Sequence, residues 1–137
     1  MDDSSADRVA ELFAAALAVQ QNAYAPYSKY RVGAAVLTPS GRIFSGCNVE
    51  NAAYPQGACA EAGAIAAMCA AGERVIIAVL TVCDGDELGT CCGGCRQRLR
   101  EFAALETPVY AADGTGVRAT FTLEGLLPHS FGPEHLV

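Results

Sequence analysis

Apolar residues in the first part of the chain recur at helical spacing. Val9, Leu12, Phe13, Ala16 and Leu17 share one face; Ser4 or Ser5 is placed to cap this helix, and Pro26 limits it. The period then changes. Tyr30 to Thr38 reads as a strand, Pro39-Ser40-Gly41 as a turn, and Arg42 to Cys47 as the hairpin partner. Asn48 to Ala58 lacks periodicity and holds Asn51, Pro55 and Gly57, so it reads as a loop. A second helix is expected from about Cys59 to Gly72, with Ala62, Ile65, Ala66 and Cys69 as its apolar stripe. Arg74 to Cys83 is an apolar, β-branched run suited to a buried central strand.

Asp84-Gly85-Asp86 opens a further loop, and a third helix is expected from about Cys92 to Ala104. Pro108 to Ala112 and Val117 to Thr122 read as short strands around Asp113-Gly114-Thr115-Gly116, and Leu123 to Leu127 as a last helical turn. The order α-β-β-α-β-α-β-β-α predicts an α/β fold with a mixed sheet covered by helices.

Composition narrows the function. A chain of 137 residues suggests one domain, 1–137, with one core. The net charge of −6 disfavours a phosphate backbone as partner, because nucleic-acid affinity comes largely from basic contacts. A small uncharged substrate suits this charge better. No apolar run approaches the roughly 18 residues a membrane span needs. The acidic start Met1-Asp-Asp-Ser-Ser lacks the basic region of a secretory signal, so a cytoplasmic protein is expected. Its seven cysteines are then expected to be free or metal-bound.

Candidate chemistry lies in Cys59-Ala60-Glu61 and Cys92-Gly-Gly-Cys95. Three thiolates can hold a zinc ion and leave a fourth tetrahedral position open. A carboxylate two residues after a ligand can move protons at that position. Cys59 is expected at one helix N-terminus and Cys92 and Cys95 at another, where free N–H groups favour thiolates. Zinc nucleobase deaminases carry this pattern of ligand, spacer, Glu and a later Pro-Cys-x-x-Cys. A closed structural zinc site is the competing reading, with Cys91 as fourth ligand. It is weakened by the single CxxC knuckle and by Glu61, which a structural site does not need. Cys69 and Cys83 read as core, Cys47 as part of the hairpin, and His129 and His135 as solvated tail residues.

With these residues in place, the chain resembles the small homotetrameric zinc-dependent cytidine deaminases. Besides the two cysteine motifs, the resemblance rests on Ala25-Pro-Tyr-Ser-Lys-Tyr30, Val32-Gly-Ala-Ala35, Gly46-Cys-Asn-Val-Glu-Asn-Ala-Ala-Tyr54 and Leu126-Leu-Pro-His-Ser-Phe131. It implies a three-layer α/β/α fold with a mixed central sheet and one Zn²⁺ on Cys59, Cys92 and Cys95. It also implies a hydrolase of pyrimidine salvage that converts cytidine and 2′-deoxycytidine to the uridine nucleoside and ammonia. Glu61 would be the proton shuttle. Asn48 and Glu50 would hold the ribose, and Tyr30 and Ala60 would line the site near the pyrimidine. Tyr54 would sit near a subunit boundary, and Phe131 would reach a neighbouring subunit's site.

Two positions depart from the family. Ala62 stands where many relatives have Arg after the catalytic Glu, and Cys91 stands where Pro precedes the CxxC. Deaminases of modified nucleosides such as blasticidin S also lack that Arg, which makes them the alternative reading. Three thiolates and Zn²⁺ carry a net charge of about −1. Arg96, directly after Cys95, is the nearest cation in sequence and is expected to offset it.

Overall fold

The structure, a computed structural model, describes residues 3–137. Its first helix, α1, is Asp3–Gln20. A hairpin follows, β1 (Val32–Leu37) with β2 (Ile43–Cys47), and then α2 (Ala60–Ala70) and β3 (Ala78–Cys83). After α3 (Gly93–Phe102) come β4 (Pro108–Asp113), β5 (Gly116–Thr122) and the short α4 (Leu123–Leu126). The strand order is β2-β1-β3-β4-β5. Only β3 and β4 pair in parallel, with α3 as their crossover; the other neighbours are antiparallel. The mixed sheet expected from the sequence is therefore present.

Strand alternation sends side chains to two cores. Ala35, Leu37, Ala78, Leu80 and Val82 face α1, where they meet Leu12 and Ala16. Ala34, Val36, Val79 and Val109 face α2 and α3, against Ala64, Ile65, Met68, Cys95 and Leu99. Helices thus cover both faces and make three layers.

Element ends differ from the sequence reading in ways that bear on the site. β1 starts at Val32 rather than Tyr30, because side chains hold the preceding backbone. Tyr30 N donates to Ser28 Oγ, and Arg31 N donates to Asp84 Oδ2. β3 starts at Ala78 rather than Arg74. The Arg74 side chain donates to the Cys69 and Glu73 carbonyls at the end of α2, and Ile76 makes only an isolated bridge with Ala103. At the start of the chain α1 already includes Ser4 and Ser5, so neither caps it. The capping position falls before Asp3, outside the described residues.

α2 lies unusually close to the sheet, and glycine allows it. A Cβ at Gly46 of β2 would fall 2.6 Å from Ala60 O and 2.7 Å from the Gly63 carbonyl carbon, and closer still to Ala64 N. These are backbone atoms, which cannot turn aside as a side-chain tip can. Ala60, Gly63 and Ala64 are the matching small residues on the helix. Gly46→Ala is therefore expected to push α2 off the sheet, at a cost of about 1–3 kcal/mol. Thermal unfolding followed by circular dichroism checks this; an unchanged melting temperature counts against the close approach.

Candidate active site

Both cysteine motifs sit at helix N-termini, as their spacing implied. Cys59 is the N-cap residue of α2 and Cys92 that of α3; both have extended backbone. Cys95 lies in the first turn of α3. The sheet layer brings these two helix starts together, and the Sγ atoms of Cys59, Cys92 and Cys95 all lie within 4.8 Å of one another. Cys59 Sγ and Cys92 Sγ are 3.8 Å apart. A disulfide needs about 2.05 Å. Sulfurs around a tetrahedral zinc with Zn–S bonds of about 2.3 Å are separated by about 3.8 Å, which matches.

The donor set also suits a cation electrostatically. Burial pushes the Cys59 thiol up. It pushes Cys95 up further, with the charges of Glu61 and of the two other thiols adding to it. Burial also acts on Cys92, but the Cys95 backbone N–H and the neighbouring thiols outweigh it and hold this thiol below its ordinary value. Three sulfurs so close cannot all ionise without a compensating positive charge. A divalent zinc held there would supply most of it.

Glu61, on the first turn of α2, is 4% exposed. Burial raises its pKa, opposed by the start of its own helix, by the charge of Arg98 and by the Cys95 thiol. It lines a cleft of about 650 Å³ together with Cys59 and Cys92, a size that suits a nucleoside.

Tyr30, Asn48, Glu50, Tyr54 and Ala60 line the same cleft. Asn48 is tied to the main chain at both ends of its amide: Nδ2 donates to Tyr30 O, and Oδ1 accepts from Val32 N. One N–H and one lone pair remain for a ligand. Glu50 accepts from the backbone N–H groups of Tyr27 and Ser28 and from the Ser28 hydroxyl. That hydroxyl holds its carboxyl below the usual value; burial opposes it, and the two N–H groups and the charge of Lys29 add to the lowering. Asn51 makes a local turn through Ala53 N, as its residue type suggested. Tyr54, 76% exposed, packs edge-on against Tyr27 at the rim.

Phe131 is not brought to this cleft. Its ring is 56% exposed and stacks on His135, while its carbonyl accepts from Gln97 of α3. Arg100, also on α3, holds the same tail through Ser130 and Glu134.

Arg96, expected to offset the charge of the thiolates, makes its contacts with two carbonyls and a hydroxyl. Its guanidinium donates to Cys91 O, Leu126 O and Thr90 Oγ1, so it secures the loop that carries the ligands. Arg98 instead reaches a sulfur: its Nη1 is 3.4 Å from Cys95 Sγ. Sequence proximity pointed to Arg96, whereas helical spacing, three residues on from Cys95, pointed to Arg98.

Cys83 also departs from its expected role as plain core. It is buried, yet it lines the cleft, and its thiol lies close to the Tyr30 hydroxyl, both within 3 Å of where a Gly89 Cβ would be. Burial first, and then this thiol, push the Tyr30 hydroxyl up to about 12, so the phenol stays neutral. Neither this pairing nor the Ser28 contact with Glu50 had a signal in local sequence.

Cys91 is buried, and burial pushes its thiol up to about 11. It is not one of the clustered sulfurs. Cys92→Ala is therefore expected to lose the metal and Cys91→Ala to keep one zinc per chain. Metal analysis of the purified variants decides; loss of zinc from Cys91→Ala would bring that residue into the site.

Comparison with known proteins agrees with this geometry. Residues 7–111 match the family described as cytidine and deoxycytidylate deaminase zinc-binding region. A cytidine deaminase of Sporosarcina psychrophila is 39% identical over 128 residues, covering 93% of this chain and 94% of that one. The crystal structure of cytidine deaminase from Burkholderia pseudomallei superposes with a TM-score of 0.82 at 38% identity, covering 89% of this chain and 98% of that chain. That from Mycobacterium leprae gives 0.74 at 40% identity, over 88% and 97% of the two chains. With its three thiols, buried carboxyl and mixed sheet, this chain belongs to the cytidine and deoxycytidylate deaminase family of zinc enzymes.

Proposed function

We propose that residues 1–137 form one catalytic domain that deaminates cytidine and 2′-deoxycytidine by hydrolysis, in pyrimidine salvage. The observation that carries this reading is Glu61, a buried carboxyl opening onto the same cleft as the clustered thiols. Cys59, Cys92 and Cys95 would hold the zinc, which when bound would bring the pKa of a water toward neutrality.

Glu61 takes a proton from the attacking water and delivers it to pyrimidine N3 as the C4–O bond forms. It then carries a second proton to the amino group, the C4–N bond breaks, and ammonia leaves. Glu61 is suited to both transfers because its carboxyl opens onto the cleft that Cys59 and Cys92 also line.

The remaining residues orient the nucleoside. Glu50, kept ionised by Ser28 and Tyr27, accepts from a ribose hydroxyl, and Asn48 uses its remaining donor and acceptor alongside it. Tyr30 presents its ring to the pyrimidine, and Ala60 keeps the wall between Cys59 and Glu61 narrow. A free nucleoside fits better than a polynucleotide because the chain carries a charge of −6.

The working assembly is a homotetramer in the cytoplasm. Among the described residues, no helix is long and apolar enough to cross a membrane. Cytoplasmic location is supported by a zinc site that needs reduced thiols. Assembly is supported by the exposed Tyr24, Tyr27, Tyr54 and Phe131, of which Phe131 takes no part in its own chain's cleft.

Ammonia release tested over cytosine, cytidine, 2′-deoxycytidine, CMP and blasticidin S should show turnover of the two nucleosides. Turnover of blasticidin S alone would move the activity to a modified nucleoside. Glu61→Gln should keep zinc and fold yet lose about 10²–10⁴-fold in turnover, or more, since one group serves several transfers. Near-normal turnover removes Glu61 from the chemistry. In sedimentation the wild type should run as a tetramer, and Phe131→Ala should raise KM. A fully active monomer overturns the shared-site reading.

A further inference from the structure

Cys95 differs from the other two sulfurs in its surroundings. It is fully buried, whereas Cys92 is exposed and Cys59 half-buried. Water can screen the charge of Cys92, but it cannot reach Cys95. Against Cys95 stands Arg98, one turn further along α3, with Nη1 3.4 Å from Sγ.

Among the described residues this guanidinium makes no ion pair, though its charge also acts on Glu61. Among the described residues, the ion pairs made by arginines involve Arg8, Arg31, Arg42, Arg100 and Arg118, and Arg96 is held by two carbonyls and a hydroxyl. A Cβ at Gly94 would lie 3.3 Å from Arg98 Nη1, so the absence of a side chain there leaves the guanidinium room beside the cluster.

We propose that Arg98 is a positioning residue of the metal centre, donating to the Cys95 thiolate and supplying the positive charge that balances three thiolates around one divalent ion. An arginine suits the role because it stays protonated whatever the neighbouring sulfurs do. Its bond to a thiolate is charge-assisted, which makes it stronger than a neutral one. The bond also draws electron density from sulfur, which leaves the ion a better Lewis acid and so acts on turnover rather than on nucleoside binding. The rest of the Arg98 side chain is exposed, so solvent weakens the effect. The surface location has an advantage for a test, since replacement leaves the core intact.

The proposal rests on the deaminase reading only for its activity. The experiment compares the wild type, Arg98→Met and Arg98→Lys in three measurements: zinc transfer to a chelating dye, the absorption spectrum of the Co²⁺-substituted protein, and cytidine turnover. Arg98→Met should release zinc faster by roughly three- to tenfold, the span of a partly screened charge-assisted bond. Its thiolate-to-cobalt charge-transfer band should move to longer wavelength, because a sulfur without its donor gives up electrons more easily. Its kcat should fall with KM unchanged. Arg98→Lys should recover all three toward wild type.

Wild-type zinc release and cobalt spectrum in Arg98→Met overturn the proposal, and so does a lysine variant that behaves like methionine. A wild type with no turnover on any cytosine nucleoside overturns the deaminase reading instead, while the cobalt spectra and zinc release still decide the role of Arg98.

Discussion

Three sulfurs within 4.8 Å of one another are the constraint around which the rest of this molecule is arranged. Thiols so close resist joint ionisation, and burial of Cys95 and Cys59 strengthens the resistance. Joint ionisation needs compensating positive charge, first from a multivalent cation, then from Arg98 beside Cys95, with weaker help from two helix N-termini. The arrangement therefore makes sense as a metal centre and would be a liability without one. It also explains why the ligands lie at helix starts, where unpaired N–H groups already favour negative charge.

The cluster is accurate only if the two helices are held in place relative to each other. Each helix brings its sulfurs only from its cap or first turn, so a small tilt would move a sulfur out of the cluster. The sheet prevents this. Ala34, Val36, Val79 and Val109 form a flat apolar floor for both helices, and Gly46 lets α2 settle against β2 at backbone contact distance. α3 is further tied at both ends. Arg96 secures the loop before it, and Gln97 and Arg100 bind the C-terminal tail. Packing of small residues, rather than large apolar area, thus determines the position of the chemistry.

On the substrate side, polar groups are arranged in advance. Glu50 is oriented and its charged form favoured by the Ser28 hydroxyl first and by the Tyr27 and Ser28 N–H groups, and Asn48 is clamped between Tyr30 and Val32. These bonds leave part of each side chain's capacity free, so a ligand entering the cleft would meet donors and acceptors already in place. Such preorganisation lowers the cost of ordering side chains on binding. On the cleft wall Tyr30 lies close to Cys83, and Gly89 is so near both that a Cβ there would be 2.6 Å from the hydroxyl and 2.8 Å from the sulfur.

How much of this was legible in the sequence depends on the range of the interaction. Spacing along the chain determined the element order, the two helix starts and the three ligands, because helical and strand periods are local properties. The same is true of Glu61, two residues after Cys59 on the same helix turn. Residues 74–77 misled, because β-branched residues in series look like a strand whether or not a partner strand is there; Ala103 supplies only one bridge.

What only the tertiary structure decided are meetings between distant segments and the choice between near neighbours. The bond from Ser28 to Glu50 and the pairing of Tyr30 with Cys83 cross many residues of chain and leave no local trace. The choice of Arg98 over Arg96 depends on which way each side chain leaves α3: the step from Cys95 to Arg98 is one helical turn, while the step to Arg96 turns about 100° away, toward the Cys91 and Leu126 carbonyls. Sequence determined which chemistry was available; the fold decided which charge faces the sulfur, because direction in space, not distance along the chain, sets an electrostatic contact.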